Sequence, residues 1–319
     1  MPTIIETLAR ELGQKEAYVA NVADLLDQGN TIPFIARYRK ELHGAMDDQT
    51  IRTLADRLSY LRSLEARRGE VKSAVETQGK LTEELSAAID AAQTLAEVED
   101  LYRPYRPKRR TRASMARDKG LEPLAQEIFA QTAKTPPEAL AAAYLDAEKG
   151  VETVEDALQG ASDILAEQIS DDADLRKRLR AQLTRQAVLR SRAAKENEDS
   201  VYRLYYDFSQ SVARLQSHQV LALNRGEKEG FLKVSLEADR AAVLQTLFRA
   251  VVRPGSAAMA FVRAAAEDAW DRLLAPSLER ELRGALTEDA CEAAIRNFAL
   301  NLRPLLLQPP VKGRVTMGL

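Results

Sequence analysis

The residues whose types and spacing could do chemistry are mostly cations. Between Arg103 and Arg117 the chain carries Arg103, Arg106, Lys108, Arg109, Arg110, Arg112 and Arg117 without one acid. Tyr102, Pro104, Tyr105 and Pro107 interleave this run. A residue that precedes proline is held out of the helical region, so the spacing predicts a stiff, extended loop. Arginine forks match phosphate oxygens and tyrosine rings stack on bases, which suits nucleic-acid contact. The competing reading is a loop that pins helices through pairs with the acidic stretch at Glu97, Glu99 and Asp100.

A second acid-free run covers 175–195, with Arg176, Lys177, Arg178, Arg180, Arg185, Arg190, Arg192 and Lys195. Leu175, Leu179, Leu183 and Ala187 recur every fourth residue, so the run reads as an amphipathic basic helix with a solvated face. A third cluster, Ile32-Pro-Phe-Ile-Ala-Arg-Tyr-Arg-Lys40, again mixes cations (Arg37, Arg39, Lys40) with aromatic rings. Tyr202, Tyr205, Tyr206 and Phe208 crowd together as either stacking surface or core. Burial is the preferred reading, because aromatic rings carry the largest apolar area.

Candidates for catalysis are poor. His43 and His218 sit in no ligand-like spacing, so neither a metal site nor a cofactor is expected. Cys291 lies on an alanine-rich helical pattern and reads as a small buried apolar residue. Asp47-Asp48 and Asp171-Asp172 fall at helix starts, where carboxylates complement the dipole. No glycine-rich phosphate loop or nucleophile elbow occurs, and the expectation is that this stretch is not an enzyme.

The elements that must position these residues are helices. Of 319 residues 45% are hydrophobic, and 46 Lys plus Arg nearly cancel 48 Asp plus Glu, so only local charge is informative. Nothing approaches the roughly 18 apolar residues of a membrane span. The start, Met-Pro-Thr-Ile-Ile-Glu, does not read as a signal peptide, so a cytoplasmic location is expected. Thr3 with Glu6, Thr94 with Glu97 and Thr135 with Glu138 have capping-box spacing. Pro136 stands at the expected first position of the third helix. Apolar residues at threes and fours predict a long helix over 48–78, followed by two short ones near 83–92 and 95–102 with helix-turn-helix spacing. The second of these is acidic, which disfavours entry into a DNA groove and favours a structural pair. Val220 to Leu223 and Phe231 to Leu236, around Asn224 to Gly230, read as strand, turn and strand. Helices then resume over about 238–303, and Pro304, Pro309 and Pro310 mark a linker. The expected fold is therefore all-α and multi-module, with one short β-hairpin near 219–236. A first domain over 1–195 would hold the helix-turn-helix-like module at about 30–105. A second helical segment would span 196–305, and 306–319 would be a linker and one strand.

Four segments carry a family resemblance together: Thr31 to Glu41, Glu99 to Arg112, Gly120-Leu-Glu-Pro-Leu124 and Leu223-Asn-Arg-Gly-Glu-Lys-Glu-Gly230. In this order they resemble the bacterial transcription accessory protein family Tex, across essentially the whole chain. The family shares its core with a eukaryotic elongation factor that acts as a histone chaperone. The resemblance implies a helical N-terminal region in a protein that associates with RNA or DNA without sequence preference and affects transcription. It also implies that an RNase H-like domain, a helix-hairpin-helix module and an OB-fold follow, and that 306–319 opens the first of these. The site residues expected to contact nucleic acid are Arg37, Arg39, Lys40, Arg103, Arg106, Lys108, Arg109, Arg110 and Arg112. Two alternatives stay open: a scaffold that docks partners such as RNA polymerase, and part of a nuclease whose site lies beyond Leu319. Salt dependence separates phosphate contact from apolar docking.

Overall fold

Helix starts in the computed structural model follow the capping chemistry of the sequence. The structure describes residues 3–106, 110–132, 134–195 and 200–308. The chain divides into two compact units, residues 1–106 and 107–319.

The first unit opens with α1 (Ile4–Leu12), whose Thr3 and Glu6 form a reciprocal capping box. α2 (Glu16–Asp27), α3 (Ile32–Tyr38) and α4 (Lys40–His43) then lead into α5 (Asp48–Thr77), capped by the Asp47 carboxylate. Leu8, Val19, Val22, Ile35, Ile51 and Leu54 are fully buried in one core. Each such side chain contributes about 1.5–3 kcal/mol of burial, which sustains a 30-residue helix so rich in charge. The far half of α5 packs Leu64, Val71 and Val75 against α6 (Glu83–Ala91) and α7 (Leu95–Tyr102). The Arg68 guanidinium donates to the Ala92 carbonyl at 2.6 Å. Thr94 caps α7, while the Glu97 carboxylate returns to the backbone N–H of Gln93 rather than of Thr94. The α6–α7 pair is thus tied along α5 by side chains of both helices.

The second unit holds α8 (Arg112–Asp118), α9 (Glu122–Ala130), α10 (Pro137–Ala141), α11 (Val154–Asp171) and α12 (Ala173–Gln186). A three-stranded antiparallel sheet follows, built from β1 (Val188–Ala193), β2 (Asp207–Ser211) and β3 (Leu232–Glu237) in the order β2-β1-β3. Val188 faces Ser211 on one side and Glu237 on the other. α13 (Ser217–Lys228) covers the sheet, and α14 (Arg240–Val251) precedes a long helical run. In that run α15 (Met259–Asp268) passes through a π-helical segment at Ala269–Leu274 into α16 (Ala275–Leu306). Trp270 and Leu274 of the π segment sit in the main core with Leu179, Leu183 and Leu247.

The chain is predominantly helical with a small antiparallel β element, as the sequence predicts. The second arm of the expected hairpin is β3, but residues 220–223 are helical. Val220 and Leu223 lie three apart on the buried face of α13, and the loop-like Gly226 is a packing residue. A Cβ there would lie 2.5 Å from Leu232 Cδ1. The partner of β3 comes from the second basic run, whose helix ends at Gln186. From Ala187 the backbone is extended, and Leu189 and Ser191 are buried while Arg190 and Arg192 face outward. That alternation makes 188–193 a strand. It also places residues on both sides of 195 in one sheet within the second unit.

Smaller differences have local causes. The stretch 103–117 is not one extended loop, since Arg103–Tyr105 is a 3-10 turn and α8 begins at Arg112. α10 starts one residue later than expected, with Pro136 as its cap and Pro137 in its first turn, so no box forms on Thr135. Gly150, at φ +70°, closes a turn between the bridged Asp146 and Val151. Cys291 is exposed, and its neighbour Ala290 takes the buried face of α16 instead. Pro304 lies inside α16, where a proline in the last turn forfeits only one backbone bond. Of the linker and strand expected over 306–319, Leu306 is the last residue of α16, and 309–319 lie outside the described residues.

Candidate nucleic-acid interface

Arg37, Arg39 and Lys40 stand at the corner where α3 gives way to α4. Arg39 has φ −130°, ψ 31°, which breaks the helix between Tyr38 and Lys40. The inner side of the corner is anchored three times. Ile35 is fully buried, His43 Nε2 donates to the Ile35 carbonyl at 3.1 Å, and Asn21 Nδ2 donates to the Leu42 carbonyl at 2.8 Å. Gly44 then turns the chain at φ +61°, in a position where a Cβ would collide with the Tyr18 ring. Anchored from within, the corner presents Arg37, Tyr38, Arg39 and Lys40 to solvent. Segment 37–43 holds one acid, Glu41, and among the described residues none of these charges has an ion-pair partner. Tyr38 is 63% exposed, its ring 5.3 Å from that of Phe34, and the Arg39 guanidinium lies 5.4 Å over Phe34.

The cations after α7 are arranged differently. Arg106 and Arg67 both bind the Glu99 carboxylate and both lie over the Tyr102 ring. Hydrogen bonds to Glu99 and Glu70 raise the Arg67 pKa further above its ordinary range. Gln78 Nε2 donates to the Tyr105 carbonyl at 2.9 Å, and Arg103 is half-buried and engaged. In the second unit Thr111 turns inward, its hydroxyl donating to buried Glu167 at 3.1 Å, and Arg110 and Arg112 on either side of it are exposed. Lys108 and Arg109 lie outside the described residues. The structure therefore brings together Arg37, Arg39 and Lys40, fixes Arg106 to a carboxylate, and assigns Arg110 and Arg112 to the other unit.

Within the second basic run, Arg176 is fully buried. It donates to the Ser277 hydroxyl at 3.2 Å and to Glu281, which also receives Arg180 at 2.9 Å. Burial by itself would raise the Glu281 carboxyl. The hydrogen bond from Arg180 and the charges of Arg176 and Arg180 outweigh it and hold the group below the ordinary glutamate value. The aromatic group at 202–208 is core, with Tyr202 buried beside Leu189, Leu223 and Leu232. No group of three or more His, Cys, Asp or Glu able to hold a metal occurs among the described residues. Nor, among them, is any helix long and apolar enough to cross a membrane.

Tyr38 is the residue that composition and charge did not single out. Its signal is the i, i+4 spacing from Phe34, which stacks the two rings on the helix surface while Ile35 turns inward.

This fold defines a class of multi-helical protein that embeds a small antiparallel sheet in its second unit. The chain belongs to the Tex family: the Tex-like protein N-terminal domain matches residues 2–76 and the Tex central region-like family matches residues 132–298. It is 44% identical to the protein tex of Bordetella pertussis over 99% of this chain and 42% of that protein. It is 38% identical to the transcriptional accessory protein Tex of Neisseria gonorrhoeae, over 99% of this chain and 42% of that one. Against the S1 RNA-binding domain-containing protein 1 of Homo sapiens the identity is 31%, over 99% of this chain and 33% of the human protein. The chain thus spans less than half the length of these relatives.

Proposed function

We propose that this chain is a non-enzymatic helical portion of a nucleic-acid-associated transcription accessory protein, and that it meets the phosphate backbone at the α3–α4 corner. The observation that carries the reading is a set of three cations on a rigid corner, exposed and without ion-pair partners among the described residues. Fixed cations without carboxylate partners attract phosphates and release their condensed counterions. Relatives named for transcription and for RNA binding support the same direction. Arg110 and Arg112 are candidate contacts on the second unit, whereas Arg106 is already neutralised by Glu99.

Titrating labelled single-stranded and duplex oligonucleotides across a salt series tests this. The triple variant R37A/R39A/K40A is expected to bind unrelated sequences more weakly by similar factors, because backbone contacts carry no sequence information. Its salt slope is expected to become shallower by about one unit per lost phosphate contact. A triple variant with wild-type affinity and slope sinks the assignment.

A second reading, a scaffold that docks a partner such as RNA polymerase, is favoured by one feature. Ile295, Phe298, Leu305 and Leu306 of α16 are all more than half exposed, an apolar stripe of the kind proteins use for association. Partner capture that resists salt would favour it.

A further inference from the structure

We infer that the α3–α4 corner holds an unpaired base, so that its ligand is single-stranded nucleic acid, with the Tyr38 ring as the stacking platform. The inference rests on the reading of this corner as the phosphate contact and goes further by naming the form of the ligand. An exposed tyrosine alone means little, since much of any protein surface is apolar. Here the ring sits among cations that nothing on the described surface neutralises. It follows Arg37 directly and precedes Arg39 and Lys40, all four exposed at one corner, so a strand held by these cations has its bases within reach of the ring.

The ring is also held in place. Phe34 lies 5.3 Å away at a 42° tilt and supports Tyr38 from one turn below. A tyrosine has two side-chain torsions, so a supported ring loses little freedom when a base settles on it. Arg39 lies over Phe34, and the same segment is anchored beneath by Ile35 and by the His43 hydrogen bond to the Ile35 carbonyl. Bases inside a duplex have both faces covered by their neighbours, so a stacking platform distinguishes unpaired from paired strands. A purely electrostatic patch does not. Every base offers a ring face, so the site is tolerant of sequence and acts alike on RNA and DNA single strands.

The test uses the full chain with single-stranded RNA, single-stranded DNA and the duplex of the same sequence, each with 2-aminopurine at one position. The variants are Y38A, Y38F and R37A/R39A/K40A. Tyr38 is exposed, so Y38A is expected to melt with the wild type, and a thermal scan verifies this. Y38A should weaken single-strand binding roughly ten- to a hundredfold, the range for loss of one stacked base. It should leave the salt slope and duplex affinity unchanged and abolish the change in 2-aminopurine emission. Y38F, which keeps the ring, should bind like the wild type. If Y38A binds single strands as tightly as the wild type while the triple variant loses affinity, stacking is overturned and the phosphate contact stands. If the wild type binds no single strand, or neither variant changes binding, both the inference and the reading beneath it fall.

Discussion

In the first unit Arg57 and Arg62 reach Glu11 and Asp27 at hydrogen-bond distance, and all four side chains remain a third to a half exposed. In the second unit Arg176 reaches Glu281 with its own side chain fully buried, and Arg117 and Arg272 close on the nearly buried Glu167 and Asp163. These two sets of pairs turn similar residue types to different ends, and the second unit adds open pairs of its own such as Arg240 with Asp271. Exposed pairs cost little to separate and leave the surface adjustable. A buried guanidinium that loses its carboxylate is left desolvated and uncompensated. Positive charge in the sequence is therefore a poor guide to where nucleic acid would bind. The richer run, at 175–195, turns Arg176 fully inward and Arg180 partly so while its other cations stay at the surface, and the sparser one, at 37–40, keeps all of its cations on the surface.

Arg176→Ala should break that contrast most severely. The loss of a fully buried side chain and its charged hydrogen bonds should cost about 1.5–3 kcal/mol, with Arg180 still meeting Glu281, so the second unit should melt below its wild-type temperature. A lowered transition by calorimetry would show this, and an unchanged one would contradict it. Acid should act on the same group more gently. The folded-state pKa of Glu281 is lowered, so its contribution is present above the ordinary glutamate range and lost as pH falls through the folded value. The melting temperature of the second unit should fall with decreasing pH below that range, and Glu281→Gln should be less stable at neutral pH and less sensitive to acid. A variant as acid-sensitive as the wild type would remove Glu281 from the account. The smallest effect belongs to Arg57→Ala. Its pair with Glu11 is half open to solvent and screened by salt, so the loss should stay under about 1 kcal/mol and shrink at high salt. A larger, salt-independent loss in chemical denaturation would erase the distinction between the two sets of pairs.

Much of this was legible from spacing. The stripe Ile51, Leu54, Leu58, Leu64, Val71, Val75 gave α5 almost to the residue, since a helix of that length repeats its pattern many times over. Short elements repeat it too few times. In 188–193 the strand alternation is carried by Leu189 and Ser191, and surrounding arginines disguised it as the tail of a basic helix. Gly226 reads as a turn residue, and its real reason for being small is Leu232 across the packing interface. At the candidate interface, Arg37, Arg39 and Lys40 stood out by charge, whereas the exposure of Tyr38 and the neutralisation of Arg106 depend on how neighbouring side chains are arranged. The burial of Arg176 depends on Ser277 and Glu281, whose positions no local pattern could supply.

That separation in sequence also orders events in time. Every contact that completes the first unit lies within residues 1–106, so it can close while the rest of the chain is still being made. The second unit cannot. Its central strand, β1, acquires one neighbour by residue 211 and the other only with residue 237. The Arg176 guanidinium waits 105 residues for its carboxylate. Loop-closure entropy adds only about 0.6 kcal/mol per doubling of such a span, so the delay is set by synthesis and not by thermodynamics. Until Glu281 emerges, the Arg176 side chain lacks the carboxylate that meets it from α16. Of the two units, the second is thus the one that a nascent chain leaves unfinished longer, and the one where help from a chaperone would matter more.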